Sequence, residues 1–324
     1  MVGIFVAVMF VMMLSLQTLS TTTGTKEKQQ HFNFSYKFTI KNLPSSAKDV
    51  EIWIPLPSNS QYQKVTSYSI NSPISHRILE DSQYKNKIIK FKSEKNIPQN
   101  VTISLNLNIN RQEADPTHQK NIVSSQQDLK RFLQPDSLVP ITGEIALEAQ
   151  RVVNDNMTPM EKIKALYEHL NQTMKYDKTG IGWGNGDAIY ACDYRKGNCT
   201  DIHSLFIGMV RSIGIPARFT IGFPLPENKS QGIIHGYHCW AEFYLKNQGW
   251  VPVDISEAIK YPEKREYYFG HLDPNRVSFS TGRDIKLNTN YGIENLNYFI
   301  YPYVLVDGKP FYDIKKSFSF KRER

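Results

Sequence analysis

The sequence predicts an α+β protein in which an antiparallel β domain precedes a mixed domain of helices and strands. Between residues 31 and 112, apolar side chains recur at every second position, as in half-buried strands. In 197–214, apolar residues recur at helical spacing, and in 237–255 two strand-like runs flank a short polar turn. A helix followed by a hairpin indicates that the second domain combines both element types.

Four segments carry the β pattern of the first domain. Alternating runs occupy 31–40 and 101–109, and shorter apolar runs occupy 49–55 and 88–91. Such strands bury one face, and the Pro, Ser and Asn residues between them are typical of turns. We therefore expect a β-sandwich-like domain over 31–112, in which no residue points to chemistry.

A polar, proline-containing segment at 113–140 is expected to link this domain to a second one at 141–320. Helical spacing predicts helices over 142–154 and 158–174, the latter with Thr158 as N-cap and Pro159 at the first helical position. Segment 180–186 contains four glycines and predicts a loop. A phosphate-binding role for this loop is disfavoured, because no strand clearly leads into it and no Lys-Ser/Thr pair follows.

Length, composition and charge limit the classes of function. The 324 residues are 40% apolar and 12% aromatic, which indicates an ordered chain with a sizeable core. The net charge of +8 favours contact with an anionic envelope surface. The Lys and Arg residues are scattered among acids, so a solvated basic surface is the simpler interpretation and no nucleic-acid partner is expected.

The first 24 residues resemble an export segment. Residues 2–16 are almost wholly apolar and a small, polar stretch follows, whereas a spanning helix needs about 20 apolar residues. This predicts a signal peptide or an N-terminal anchor, and thus a periplasmic, secreted or membrane-anchored protein. No Lys or Arg precedes the apolar run and no Ala-x-Ala site is evident, which leaves cleavage open.

Three cysteines are too few for a disulfide-built scaffold, although Cys192 and Cys239 can bridge if the protein is exported. His203 and His235 could join His238 and Cys239 around a metal ion, but their elements are expected to hold them at different angles. No CxxC or HExxH spacing is present. We expect no metal and no organic cofactor.

The segment 197–214 predicts a helix with Cys199 in its first turn. Asn198 is a good N-cap, Asp201 stands where a capping-box acid belongs, and Gly214 ends the helix. Unpaired N–H groups and the helix dipole at this end lower the pKa of a thiol and can hold an oxyanion. An isolated cysteine is more often simply buried, so the interpretation depends on its partners.

The hairpin supplies those partners. Alternation places His238, Trp240 and Glu242 on one face of the first strand, and the turn brings Asp254 to within about two residues of the His238 register. An acid there orients the imidazole and stabilises the imidazolium. We therefore interpret Cys199, His238 and Asp254 as a candidate catalytic triad, with Trp240 and Glu242 as candidate supporting residues.

The order of four motifs over residues 160–260 resembles the transglutaminase-like superfamily. They are Gly197-Asn198-Cys199, Gly214-Ile215-Pro216-Ala217-Arg218, His238-Cys239-Trp240-Ala241-Glu242 and Gly249-Trp250-Val251-Pro252-Val253-Asp254. The resemblance implies a papain-like transglutaminase core, in which the cysteine helix packs on an antiparallel sheet, often behind a β-sandwich domain in exported proteins. A tryptophan donates to the oxyanion in some relatives, and Trp183 is the candidate here.

The resemblance does not fix the reaction, because members of the family include peptidases, amidases, protein cross-linkers and catalytically dead binding modules. With all three candidate triad positions filled, thiol-dependent acyl transfer on amide bonds of a peptide or protein substrate is our leading hypothesis. Hydrolysis by a peptidase or amidase leads, because no amine-binding signature is visible in the sequence. Protein-glutamine cross-linking is the alternative with an amine as acyl acceptor. A non-catalytic envelope binding or scaffold protein is the alternative from a different class.

Overall fold

A computed structural model of the chain describes residues 28–93, 98–115 and 129–323. The expected export segment at 1–24 lies outside these residues. Within the described ranges, no helix combines the length and apolar character needed to span a membrane. The helices are α1 (Glu144–Val152), α2 (Pro159–Thr173), α3 (Ala188–Tyr194), α4 (Cys199–Ser212) and α5 (Ile255–Lys260).

Strands contain more of the described residues than helices do. In order they are β1 (Gln29–Ile40), β2 (Val50–Leu56), β3 (Gln63–Asn71), β4 (His76–Glu80), β5 (Lys87–Ser93), β6 (Val101–Gln112), β7 (Lys175–Tyr176), β8 (Lys196–Gly197), β9 (Ala217–Pro224), β10 (Gln231–Ile234), β11 (His238–Leu245), β12 (Gly249–Val253), β13 (Arg276–Thr281), β14 (Ile285–Thr289), β15 (Gly292–Leu296), β16 (Tyr303–Val306), β17 (Lys309–Pro310) and β18 (Ile314–Arg322). The combination confirms the α+β class.

Two five-stranded antiparallel sheets form the β-sandwich, with strand orders β10-β18-β1-β6-β3 and β17-β16-β2-β5-β4. The alternation predicted for β1 and β6 is confirmed, because every second side chain of each strand is buried. These inner side chains from both sheets share one hydrophobic core. Apolar burial of this kind supplies most of the favourable free energy of a sandwich.

Strand β2 is buried on both faces, which period-two patterning does not predict. The hairpin β14–β15 covers its outer face, where Ile285 and Leu287 pack in a small cluster with Trp53. Glu51 on the same strand is buried and forms an ion pair with Lys90 at 2.5 Å. A second covering layer therefore explains the unexpected burial.

The sandwich is not confined to 31–112, because strands from the C-terminal region complete both of its sheets. Strand β18 pairs with β1 from Phe32↔Arg322 to Ile40↔Ile314, and β16 pairs with β2. Segment 113–140, expected as a linker, contains Asp136, which is buried and accepts a hydrogen bond from Arg211 at 2.6 Å. A division into separately folding domains at these boundaries stays a prediction.

A separate four-stranded sheet has the order β12-β11-β9-β13. Helix α4 packs against this sheet. Helices α1, α2 and α3 contact the other sides of α4, so every residue of α4 from Cys199 to Arg211 is buried. A helix buried all round needs covering elements on every side. The predicted amphipathic helix is thus the central helix of the core.

Candidate active site

Helix α4 begins at Cys199, as predicted. The Asn198 side chain accepts the N–H of Thr200 at 2.8 Å, and the Asp201 carboxylate accepts the N–H of Asn198 at 2.9 Å. This reciprocal capping box confirms the sequence prediction. Glycine is required before Asn198, because a Cβ at Gly197 would lie 2.5 Å from the Cβ of Asp201. The cap therefore fixes the thiol in the first turn.

Asp201 also anchors the glycine-rich loop beside this turn. Its carboxylate accepts the N–H of Gly184 at 2.7 Å and that of Gly186 at 2.8 Å. Gly186 has a φ of +66°, and a Cβ there would lie 2.7 Å from a guanidinium nitrogen of Arg283. Two backbone N–H groups of the loop thus donate to the buried Asp201 carboxylate.

Trp183 lies in this loop and is half-buried. Its role as a donor to the oxyanion stays a prediction.

The hairpin brings the predicted histidine and acid together. Pairing of Ala241 with Val253 leaves Asp254 within two residues of the His238 register, as expected, and the His238 Nε2 lies 2.7 Å from Asp254 Oδ2. The second strand ends at Val253 and not at Ile255, because Asp254 is the N-cap of α5. Strand end and helix cap together hold the carboxylate in place.

Asp254 is fully buried and has further donors. Arg276 Nη1 donates to Oδ2 at 2.9 Å, and the Ser256 hydroxyl donates to Oδ1 at 3.1 Å. Burial alone would raise the pKa of Asp254, but the positive charges of His238 and Arg276 hold it well below its usual value. The sequence did not predict Arg276 as part of this site. Arg276 lies on β13, which pairs with β9, and it is distant from Asp254 in the chain.

The charges of the thiol and imidazole follow from their neighbours. Burial would lower the pKa of His238, but the charge of Asp254 and the hydrogen bond to it raise that pKa to about 10. The pKa of Cys199 lies well below its usual value, mainly because of a hydrogen bond from Cys239. The hydrogen bond and the charge of His238 lower this pKa further, whereas burial opposes the decrease. The site therefore favours a thiolate–imidazolium pair at neutral pH.

A second histidine, His203, lies close to Cys239. The Cys239 sulfur lies 3.7 Å from His203 Nδ1, and the N–H of Ile255 donates to His203 Nε2 at 3.0 Å. Burial lowers the pKa of His203, so the ring is neutral and carries its proton on Nδ1, facing Cys239. His203 on α4 and Cys239 on β11, two of the residues considered for a metal site, are therefore in contact.

A local signal for this contact existed. His203 lies four residues after Cys199 and therefore on the same helix face. Alternation along β11 places Cys239 on the face opposite His238, and β11 packs on α4. His235, by contrast, is exposed. In the described part of the chain, no group of three or more His, Cys, Asp or Glu side chains could hold a metal ion.

Trp240 and Glu242 are connected to Asp254 only indirectly. The Trp240 indole N–H donates to Glu242 at 3.4 Å, and Glu242 pairs with Arg218. The Arg276 guanidinium lies 5.2 Å from the Trp240 ring and also binds Asp254. A supporting role for both residues stays a prediction.

All three cysteines are free. The Cys192 thiol donates to Glu148 at 3.0 Å, whereas Cys239 faces His203, so the bridge considered between Cys192 and Cys239 is not formed.

A groove of about 1090 Å³ reaches His238, a volume that suits an extended ligand. It runs between β1, the loop after β9 and the α5 region. Its aromatic lining consists of Tyr176, Tyr237, Tyr261, Tyr267 and Tyr268. Of the three candidate catalytic residues, His238 is thus the one that lines the groove.

Comparisons with known proteins agree with this architecture. An uncharacterized protein of Haemophilus influenzae is 26% identical over 321 residues, covering 86% of each chain. A solved candidate cysteine protease from Cytophaga hutchinsonii superposes with a TM-score of 0.57 at 16% identity, covering 92% of this chain and 99% of its own. That likeness shows the fold.

Two further matches concern the core. A protein-glutamine gamma-glutamyltransferase of Pseudomonas aeruginosa is 30% identical over 118 residues, which are 33% of this chain and 17% of its own. Residues 148–255, which span the capped Cys199 helix, His238 and Asp254, match the family model of the transglutaminase-like superfamily core. This segment, about a third of the chain, is thus similar to the core of the transglutaminase-like superfamily.

Proposed function

We propose that this protein is a cysteine enzyme that transfers an acyl group from an amide bond of a peptide or protein, with Cys199 as nucleophile, His238 as acid and base, and Asp254 as the residue that orients the histidine. The observation that carries the proposal is the buried 2.7 Å contact between His238 and Asp254 beside the capped Cys199 turn. A thiolate and an imidazolium in contact are the reactive form of such a site.

The reaction follows from these positions. The Cys199 thiolate attacks the amide carbonyl carbon, and the resulting oxyanion can be held by the backbone N–H of Cys199 at the start of α4, since the N–H groups of Thr200 and Asp201 already donate to Asn198. His238 donates its proton to the leaving amine as the C–N bond breaks, which leaves a thioester. Neutral His238 then takes a proton from the incoming acceptor, the acceptor bonds to the carbonyl carbon, and the thiolate is released.

Water is the proposed acceptor, which makes the enzyme a peptidase or amidase. Cross-linking to an amine is the second candidate, and the 30% identity of the core to a protein-glutamine gamma-glutamyltransferase favours it. A scaffold role does not explain why the pKa of Cys199 lies well below its usual value. We further propose that the protein is exported through residues 1–24 and that its net charge of +8 meets an anionic envelope surface.

The first test does not require a known substrate. Iodoacetamide labelling of the full chain at pH 6 is expected to be fast in the wild type, absent at this site in Cys199→Ala and slow in His238→Gln. Cys192→Ala is the matched control, because burial and a hydrogen bond to Glu148 raise the pKa of that thiol to about 12. Labelling with the profile of an ordinary thiol would exclude the enzyme and leave the scaffold.

The acyl acceptor is identified with a labelled protein substrate such as casein, incubated with and without dansylcadaverine. Release of peptides that depends on Cys199 supports hydrolysis. Incorporation of the dansyl amine in place of peptide release would assign cross-linking instead.

A further inference from the structure

A second cavity lies beside Trp240 and Glu242, between the β-sandwich and the sheet that carries His238. Its volume is about 320 Å³, and it shares no lining residue with the groove at His238. Strands β6, β9, β11 and β12 contribute to its walls, and exposed Asn59 and Ser60 stand at its edge. This volume lies at the lower end of small-ligand sites.

Arg111 places a buried positive charge in this cavity. The residue is only 3% exposed, and its Nε has no hydrogen-bond partner. Burial lowers the pKa of Arg111 to about 10, and Arg276 contributes to the decrease, while Glu242 and Asp273 oppose it only in part. A buried guanidinium is costly unless an anion pairs with it. Across the described ranges, no carboxylate forms a salt bridge with Arg111.

Other polar atoms of the lining also lack partners. The Thr220 hydroxyl and the Gln61 amide nitrogen are buried without a hydrogen bond. The acid of the lining, Glu242, is neutralised by Arg218 and accepts the Trp240 N–H. The unsatisfied atoms are therefore mainly hydrogen-bond donors. A ligand that is rich in hydrogen-bond acceptors would satisfy them.

One part of the remaining wall is apolar. It is formed by Trp240, Trp250, Pro252 and Leu272. An inorganic anion would leave this surface without contacts, whereas an organic acid would cover it. We propose that this cavity is a binding site for a small organic carboxylate, whose charged group pairs with Arg111 and whose apolar body lies against Trp240 and Trp250. A carboxylate can accept two parallel N–H bonds from one guanidinium.

The test uses the full-length protein with two probes, benzoate and indole-3-acetate, each compared with its neutral amide. The acids are expected to raise the melting temperature and change tryptophan fluorescence, and the amides to bind at least about tenfold more weakly. Equal effects of acid and amide, or no effect of either acid, would overturn the proposal. Inorganic phosphate binding as tightly as benzoate would also overturn it, because the apolar wall would then contribute nothing.

Arg111→Met is the informative variant, and Arg77→Met, at an exposed position on β4, is its control. Replacing an unpaired buried charge by an apolar side chain of similar length is expected to leave the ligand-free protein at least as stable as the wild type, and to abolish the response to both acids. A strongly destabilised Arg111→Met protein would show that Arg111 is a structural charge. A benzoate-grown crystal with water alone in the cavity would likewise overturn the assignment.

Discussion

The sulfur of Cys239 lies 3.7 Å from Nδ1 of His203. His203 receives the Ile255 N–H on its other nitrogen, so its Nδ1 proton faces Cys239. The Cys239 thiol in turn donates to Cys199 and is the largest cause of the low pKa of Cys199. The Cys199 thiolate is thus stabilised by a chain of donors as well as by His238.

Cys239→Ala is therefore expected to raise the pKa of Cys199 and to slow iodoacetamide labelling at pH 6 by about tenfold, a change of about 1.4 kcal/mol. Cys239→Ser keeps a donor and is expected to retain most of the wild-type rate. Cys192→Ala serves as the control, because that thiol binds Glu148 instead. A labelling profile of Cys239→Ala equal to that of the wild type would contradict this account.

Asp254→Asn removes the charge that raises the pKa of His238. The pKa of His238 is then expected to fall from about 10 towards its ordinary 6.5, and acyl transfer to slow by about 10²–10⁴-fold. Turnover of a substrate found in the casein assay measures the rate, and proton NMR of the imidazole measures the pKa. Asp193→Asn, at an exposed position on α3, should change neither quantity. An unaltered His238 pKa in Asp254→Asn would refute the assigned role of the acid.

The parts of this site that the sequence predicted are local in the chain. The capping box joins residues three apart, and the register of the His238 hairpin is set by one short turn. Arg276 and β18 could not be predicted in this way, because their partners Asp254 and β1 are distant in the chain. Periodicity reports which side chains are buried, but it does not say which element covers them, as the two-sided burial of β2 illustrates.

Asp201→Asn is expected to loosen the glycine-rich loop without removing the nucleophile. The carboxylate accepts N–H groups of Gly184, Gly186 and Asn198, and an amide nitrogen cannot accept a hydrogen bond. We expect a loss of about 1–3 kcal/mol in the free energy of unfolding, together with faster amide exchange in 180–186. Urea denaturation and hydrogen exchange measure these effects, with Asp193→Asn as the control. Unchanged exchange in the loop would show that Asp201 does not anchor it.

The pH dependence of stability distinguishes a thiolate–imidazolium pair from a histidine that titrates alone. In the unfolded chain, His238 loses its proton near pH 6.5 and Cys199 near 8.5. In the folded chain, His238 keeps its proton up to about pH 10, while Cys199 has lost its proton well below its usual pKa. Between about pH 6.5 and 8.5 the His238–Cys199 pair therefore binds one proton in the folded chain and one in the unfolded chain. The contribution of the pair to the free energy of unfolding is then constant.

Above about pH 8.5 the unfolded pair binds no proton and the folded pair binds one, so stability falls as pH rises towards 10. Cys199→Ala removes the compensating thiol. The contribution of His238, which is complete below its unfolded pKa, then declines from about pH 6.5 onward, by at most about 1.4 kcal/mol per pH unit. Urea denaturation from pH 6 to 10, with His238→Gln in each background as reference, measures both onsets. The same onset with and without the Cys199 thiol would mean that the two groups are not charged as a pair.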